Sequence, residues 1–457
     1  MDAVFEAASN TIYQRNGTIV RVKDNSIDEV DAEQLQSHLI DNLTPITIKI
    51  SKEGDEIQMP AKKFEKDLCQ HMINRTEIGL KSLKYVYRCP VFAGDWKPLG
   101  EHGYHENMQA WLNTDSIEAD LMPLKKATEL IDDLLIDFPF SDVASKTHAV
   151  MALLTPFIRP MVGMIPLFLI TAPTEGSGKT MLAEICGLIS DGYEQIKITA
   201  PSDDDEWRKK ITSTLRDAPS VVIIDNIVDL DSPSLASALT SQVWTDRKLG
   251  GSSNVSYPND SVWFASGNNP TISPEMARRC VLIHIVPDTE RPGEREFKYP
   301  DIKGHVISNR DKYVSALMSI IHHWTLARST TDVLMGSYQQ WATAAASIAA
   351  HAGYVEALTN RDIMRTEQSD DLAILVEAWA AESYKRKNAT SGDLENICSE
   401  ADILGHIRGG SHHKSQRARK LSVYLGGQAD RVCGSWRIVV AQDTHSKQKV
   451  YSLESVQ

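Results

Sequence analysis

The sequence predicts a parallel α/β fold, and three observations predict it. First, the stretch 171–180, TAPTEGSGKT, stands between an apolar run (165–170) and a helical pattern (181–189). Strand, Gly-rich turn and helix in that order form the setting of a phosphate-binding loop. Second, apolar runs of strand length recur downstream and alternate with stretches of helix length, as in sheets covered by helices on both faces. Third, the chain has 457 residues, enough for roughly two to four domains. The expected division is an N-terminal α/β domain over 1–115, a helical connector over 116–160, a core over 161–300, a helical lid over 301–368 and a winged helix over 369–457.

The N-terminal domain starts with a hairpin over 12–22, in which Asn16-Gly17 supplies the two turn residues with φ > 0. A helix over 31–43, an alternating strand over 45–51 and a second helix over 61–72 follow. Residues 85–96 read as extended and 100–104 as a turn. His102 and His105 have no third ligand nearby in the sequence and read as surface residues. The connector holds two helices, 124–138 and 145–158, the second closed by Pro160. In the core, strands are expected at 195–199, 220–226, 261–267 and 281–286, with helices at 203–216, 232–244 and 273–279. The acidic start of the 203–216 helix suits the helix dipole. Helices over 310–326 and 338–350 make the lid. Helices over 370–387, 391–400 and 415–425, then strands over 435–440 and 449–453, outline the winged helix.

Composition bounds the functional classes. Apolar content is 42%, ordinary for a globular protein. No uninterrupted apolar run reaches about 18 residues, so no membrane span is expected. The N-terminus, MDAVFEAASN, lacks the basic and apolar regions of a signal peptide. Six scattered cysteines without a CxxC pair argue against a disulfide framework and for a reducing cytoplasm. Net charge is −13, yet from His406 onward nine Lys/Arg face three Asp/Glu. A basic contact surface on an acidic body is the expectation.

The chemistry concentrates in a few positions. Gly176 and Gly178 let successive N–H groups curl inward at a helix N-terminus. Lys179 neutralises β- and γ-phosphates, and Thr180 offers its hydroxyl to a magnesium ion. Thr174, Glu175, Ser177 and Met181 complete the nucleotide contacts. The usual pattern GxxxxGK[ST] places a glycine where this chain has Pro173, which holds the strand-to-loop turn instead. Asp225, ending a buried strand, suits the magnesium shell. Asn268, ending the next strand, suits orienting the attacking water. Arg278 and Arg279, just before the last strand, lie where a subunit would reach into its neighbour's site and stabilise charge on the leaving phosphate.

Taken in order, phosphate loop, Asp-terminated strand, Asn-terminated strand and arginine pair resemble an AAA+ ATPase. The stretches VVIIDNIVDLDSPSLASALTSQVWTDRKLG, FASGNNP, EMARRCVLIHI, ERPGEREF and GSYQQWATAAASIAAHAGY resemble the helicase-like ATPases of phages, plasmids and integrating elements, near the superfamily 3 viral and MCM-like helicases. The resemblance covers about residues 140–355. It implies a hexameric ring that uses ATP and Mg2+ to move along single-stranded or forked DNA during replication of a mobile element. It also implies that Arg279, or else Arg278, acts in trans, with Arg247, Arg295 and Arg310 as further phosphate or lid contacts. The N-terminal domain would dock a replication partner.

One position departs from that family. Where it usually carries glutamate as the base, this chain has Asn226, which cannot take a proton. Glu206, with Asp229 behind it, is the candidate replacement. Arg247 and Lys248 start a segment (245–260) long enough for a hairpin with a Gly-rich tip, either a pore hairpin following DNA or an edge hairpin closing the subunit. Lys414, Arg417, Arg419 and Lys420 lie on the third helix of the winged domain, as DNA contacts or as part of a protein-binding module. An ATP-gated DNA-binding loader or regulator is the alternative to a motor, and Asn226 favours it.

Overall fold

The computed structural model describes residues 12–23, 26–61, 63–74, 79–247, 254–289, 291–360, 363–382, 387–408, 413–443 and 448–456. The chain forms two compact units, Met1–Asn360 and Arg361–Gln457.

The first unit is built on a five-stranded sheet. Its strands are Leu167–Ala172, Lys197–Thr199, Val221–Leu230, Val262–Ile272 and Cys280–His284. Their spatial order is 197–199, 221–230, 262–272, 167–172, 280–284, and every pairing is parallel. The strand that feeds the Gly-rich loop therefore lies inside the sheet. Its six residues are all buried, which explains an uninterrupted apolar run in place of alternation.

Helix Val143–Ile158 packs on this sheet and is buried along nearly its whole length. Pro156 lies inside it and cannot donate to the carbonyl four residues back. That carbonyl, Ala152 O, accepts the Cys186 thiol of helix Lys179–Asp191 at 3.4 Å instead. His148 joins two neighbours to this helix: Nδ1 donates to Leu282 O at 2.6 Å, and Nε2 accepts the Leu358 N–H at 2.8 Å. The core is continuous from Tyr87 and Phe92 through the sheet to Trp341 and Tyr354, so side chains on both sides of residue 115 share one interior.

Several expected elements differ. The helix expected over 232–244 stops at Leu239. The hydroxyls of Thr240 and Ser241 donate to Ala236 O and Ser237 O in its last turn, a local competition that ends helices. Val243–Arg247 then pairs as an antiparallel hairpin with Asn254–Pro258. Its base is tied to helix Asp204–Arg216 through Trp244 Nε1–Thr212 Oγ1 (2.9 Å) and an Arg208–Asp246 ion pair. Strands 221–230 and 262–272 run past the points where polar residues predicted their ends, and Asp229 still pairs with Thr271. The N-terminal hairpin is as expected, with Asn16 at φ 52° and Gly17 at φ 80°. Strand Ile46–Ile50 pairs with Glu56–Pro60, but all ten residues are exposed.

The second unit has helices Ile363–Ala381, Ser391–Glu400, Gly405–Arg408 and Lys414–Gly426. They accompany a four-stranded antiparallel sheet ordered 389–390, 449–455, 436–442, 432–433. Trp379, Leu394, Leu421, Leu425, Ile438 and Tyr451 fill its core. Among the described residues, no helix is long and apolar enough to cross a membrane.

Candidate nucleotide site

The loop after strand Leu167–Ala172 turns on two left-handed glycines, Gly176 at φ 70° and Gly178 at φ 92°. A side chain at Gly178 would be strained in that conformation and would also meet the Phe138 ring at 3.3 Å. Gly178 caps helix Lys179–Asp191. The backbone of Gly293 lies 3.5 Å from where a Cβ on Gly176 would stand. The loop is thus flanked by Phe138 on one side and by residues 292–294 on the other.

Lys179 is the first residue of the helix and is only 8% exposed. Its ammonium donates to Thr174 O and to Ser177 Oγ, each at 3.1 Å, and Ser177 Oγ donates to Thr174 O at 2.8 Å. Burial pushes the Lys179 amine below the ordinary lysine value, while the Glu175 and Asp225 carboxylates pull it back part of the way. Thr174 Oγ1 is buried with no hydrogen-bond partner. A positively charged amine, inward-turned backbone and an orphaned hydroxyl in one loop match the chemistry of a polyphosphate.

The carboxylate of Asp225 collects the neighbouring hydroxyls. Thr180 Oγ1 donates to Asp225 Oδ1 at 2.7 Å, Ser266 Oγ donates to the same oxygen at 2.6 Å, and Thr180 Oγ1 and Ser266 Oγ stand 3.3 Å apart. The Asn226 N–H also donates to Oδ1, at 3.0 Å. Thr180, Asp225 and Ser266 thus come from the helix and from two adjacent strands. A hydroxyl and a carboxylate on a helix start and a strand are oxygen donors of the kind a magnesium ion takes. Among the described residues, no cluster of three or more His, Cys, Asp or Glu side chains forms a metal site.

Ser266 escaped the sequence reading. Its signal was present, since Ser266 and Asn268 in FASGNNP share one face of a strand by period-two alternation. Asn268 pairs with Ala172, at the exit of the loop strand, and its side chain is exposed. Asp225 does not end its strand. It sits at an irregularity between Ile224 and Ile227, where Asn226 takes φ 56°.

The remaining candidates separate. Glu206 is exposed in the first turn of its helix, and its carboxylate accepts from Lys209 Nζ. Asp203, Asp204, Asp229 and Asp231 line a cavity of about 270 Å3 together with Asn226, and Glu206 does not. Asp204 is committed to Ser232 and Ser234. Arg279 is tied into its own chain: its guanidinium bonds Ala236 O at 3.1 Å, Glu275 O at 2.7 Å and the Glu275 carboxylate at 2.7 Å, with 12% of the side chain exposed. Arg278 is 58% exposed and rests on Glu275. Arg295 is held on Asp137 O.

Arg310 is engaged by backbone carbonyls. It bonds Ile189 O at 2.9 Å, Ser190 O at 2.7 Å and Arg88 O at 2.7 Å. Two of those carbonyls, Ile189 O and Ser190 O, lie at the far end of the loop helix, about 15–20 Å from Lys179 at 1.5 Å per residue. Such carbonyls are left without helical partners and attract a cation. Arg247 is exposed at the end of its hairpin strand, and Lys248 lies outside the described residues.

In the second unit Lys414, Arg419 and Lys420 are exposed. Arg417 is withdrawn from that surface: its Nε bonds Glu395 Oε1 at 2.7 Å, and Glu395 is 1% exposed. A buried carboxylate needs such a partner, and Arg417 supplies one.

No family model matches the chain, and no curated protein does. Among solved structures, the chain is similar to the apo A form of the NrS-1 C-terminal region, with 12% identity over 97% of this chain and 96% of that one, at a TM-score of 0.42. It is also similar to a JCV helicase bound to a thiazolopyridine compound, with 14% identity over 44% of this chain and 61% of that one, at a TM-score of 0.23. At these scores neither likeness carries an argument, and the functional reading rests on the site itself.

Proposed function

We propose that this chain is an AAA+ ATPase of the superfamily 3 and MCM-like group. In this reading it is an ATP-dependent DNA helicase or translocase that works as a hexameric ring in the replication of a mobile element. The observation that carries the reading is the contact of Thr180 Oγ1 with Asp225 Oδ1 at 2.7 Å, next to the buried Lys179. Loop lysine, helix hydroxyl and strand carboxylate are the parts a phosphate-bound magnesium ion uses.

In this reading Lys179 and the N–H groups from Gly176 to Thr180 hold the β- and γ-phosphates, and Lys179 exchanges its bonds to Thr174 O and Ser177 Oγ for phosphate oxygens. Thr180 and Asp225 would hold a magnesium ion, whose chemistry there would be Lewis-acid stabilisation of phosphoryl charge. Ser266 positions Asp225. Asn268 orients the attacking water. Because Asn226 cannot accept a proton, we assign water activation to Asp229, which borders the cavity at Asn226 and lies nearer to it along the chain than Asp231 does, rather than to Glu206. The exposed Arg278, rather than the anchored Arg279, reaches the neighbour's nucleotide. The winged-helix second unit contributes Lys414, Arg419 and Lys420 to a DNA surface, and Arg247 and Lys248 bring the hairpin to the strand.

A strand-displacement assay on forked DNA tests this. Unwinding with ATP and none with a non-hydrolysable analogue is the expected result. Nucleotide-dependent DNA binding without unwinding would replace the motor by a loader or regulator, the reading that Asn226 favours.

A further inference from the structure

Seven of the large apolar side chains left exposed fall within residues 40–68: Ile40, Ile46, Ile48, Ile50, Ile57, Met59 and Leu68, at 40–75% exposure. Five belong to the hairpin formed by Ile46–Ile50 and Glu56–Pro60, which pairs with no other described strand. A two-stranded ribbon with both faces in water is marginal at best, and exposed apolar surface on this scale marks an interaction site.

The backbone specifies the occupant. Inside the hairpin, Ser51 N–H bonds Asp55 O and Ala61 N–H bonds Pro45 O. With the register Thr47↔Met59 and Lys49↔Ile57, odd-numbered residues turn their N–H and C=O groups toward the partner strand. Ile46, Ile48 and Ile50 therefore turn theirs outward, to an open edge. Edges are normally guarded by proline or charge. The other edge has both, in Pro60 and Glu56. The 46–50 edge, ITIKI, has no proline and one lysine.

The edge is also self-complementary. Laid antiparallel on itself about Ile48, it pairs Ile48 with Ile48, Ile46 with Ile50 and Thr47 with Lys49. All outward N–H and C=O groups are then matched in about six hydrogen bonds. The isoleucines of both copies line one face in direct cross-strand contact. Lysine meets threonine and never lysine. Such self-matching is what a two-fold interface requires.

We propose that Ile46–Ile50 is a self-association edge, through which two copies of this chain join into a four-stranded antiparallel sheet. The contact is independent of the nucleotide site.

The test measures the mass of the full-length chain by sedimentation equilibrium without nucleotide, with ATP turnover as a check that the core is intact. In Thr47→Lys the new lysine faces Lys49 of the other copy at two places, and like charges directly opposite repel. Inside the hairpin the same residue faces only Met59. Association should weaken roughly tenfold. Adding Lys49→Glu to that variant turns both repulsions into ion pairs and should restore the wild-type mass. Ile48→Pro removes one outward N–H and should abolish the contact. The proposal is overturned if the wild-type chain is monomeric without nucleotide, if Thr47→Lys and Ile48→Pro both keep the wild-type mass, or if Lys49→Glu fails to rescue. Loss of turnover in phosphate-loop variants with unchanged mass would bear on the nucleotide site alone.

Discussion

Removing the Ser266 hydroxyl should slow ATP hydrolysis without weakening nucleotide binding. Ser266 is 1% exposed and donates to Asp225 Oδ1 at 2.6 Å. A hydrogen bond to a charged group contributes about 1.5–3 kcal/mol, and no water can replace it at a buried position. Two donors to the same oxygen survive in Ser266→Ala, Thr180 Oγ1 and the Asn226 N–H, so the carboxylate stays but is held less firmly. A partner that orients a metal ligand is typically worth 10–100-fold in affinity or activity. The expected result is a kcat lower by about tenfold to a hundredfold and a raised half-saturating Mg2+ concentration. The ATP KM should hold, because Lys179 and the loop are untouched. Ser266→Thr keeps the hydroxyl and should recover most of the rate. Steady-state ATPase assays over a magnesium titration decide it. An Ala variant with unchanged kcat and unchanged magnesium dependence would refute the role given to Asp225.

Three further outcomes follow from the same geometry. Arg278→Ala should abolish DNA-stimulated turnover while leaving the melting temperature within about 1 °C, since surface ion pairs contribute little; Arg279→Ala, which strips three internal bonds, should lower Tm by several degrees at about 2 kcal/mol. As pH rises toward the ordinary lysine value of 10.5, free Lys179 loses its proton early because its pKa is lowered by burial, whereas phosphate favours the charged form; ATP affinity should therefore fall with pH in that window, with proton uptake visible by calorimetry in buffers of different ionisation heat. Arg417→Ala should destabilise the second unit by about 1.5–3 kcal/mol, because it takes the charged partner from buried Glu395 and leaves the Ser399 hydroxyl as a donor, while Arg419→Ala and Lys420→Ala should leave melting unchanged and each flatten the salt dependence of DNA affinity by about one unit.

The sheet was legible because its strands are buried on both faces and read as unbroken apolar runs; the loop was legible because its glycines and lysine sit at fixed offsets. Legibility failed where structure depends on distant partners. The Ser232–Leu239 region lost its last turn to Thr240 and Ser241 and to a tryptophan that docks on Thr212. Exposed arginines and anchored ones look alike in a sequence, so the carbonyl and carboxylate partners of Arg310, Arg279 and Arg417 become visible only in the structure. Ser266 was missed because a buried serine on an apolar strand reads as filler until the carboxylate across from it is seen.

Asn226 is where backbone and chemistry meet. Its φ of 56° lies in the left-handed region, which asparagine tolerates and glutamate resists at about 1 kcal/mol or more. The irregularity in the 221–230 strand that produces this conformation also brings the Asn226 N–H onto Asp225. A glutamate at this position would thus oppose the local backbone that helps hold the Asp225 carboxylate. Asn226→Glu should lower stability by about 1 kcal/mol and give no gain in turnover, whereas Asn226→Gly should be close to neutral for both. The proton must then go to another acid, and Asp229 borders the same cavity as Asn226. Asp229→Asn should cut kcat by about a hundredfold or more with ATP binding intact, the range expected for loss of a general base. Glu206→Gln should retain near-normal turnover, because its carboxylate is spent on Lys209. Single-turnover hydrolysis beside nucleotide binding separates these outcomes. Loss of hydrolysis in Glu206→Gln with Asp229→Asn active would return the base to the helix and refute the argument from the cavity.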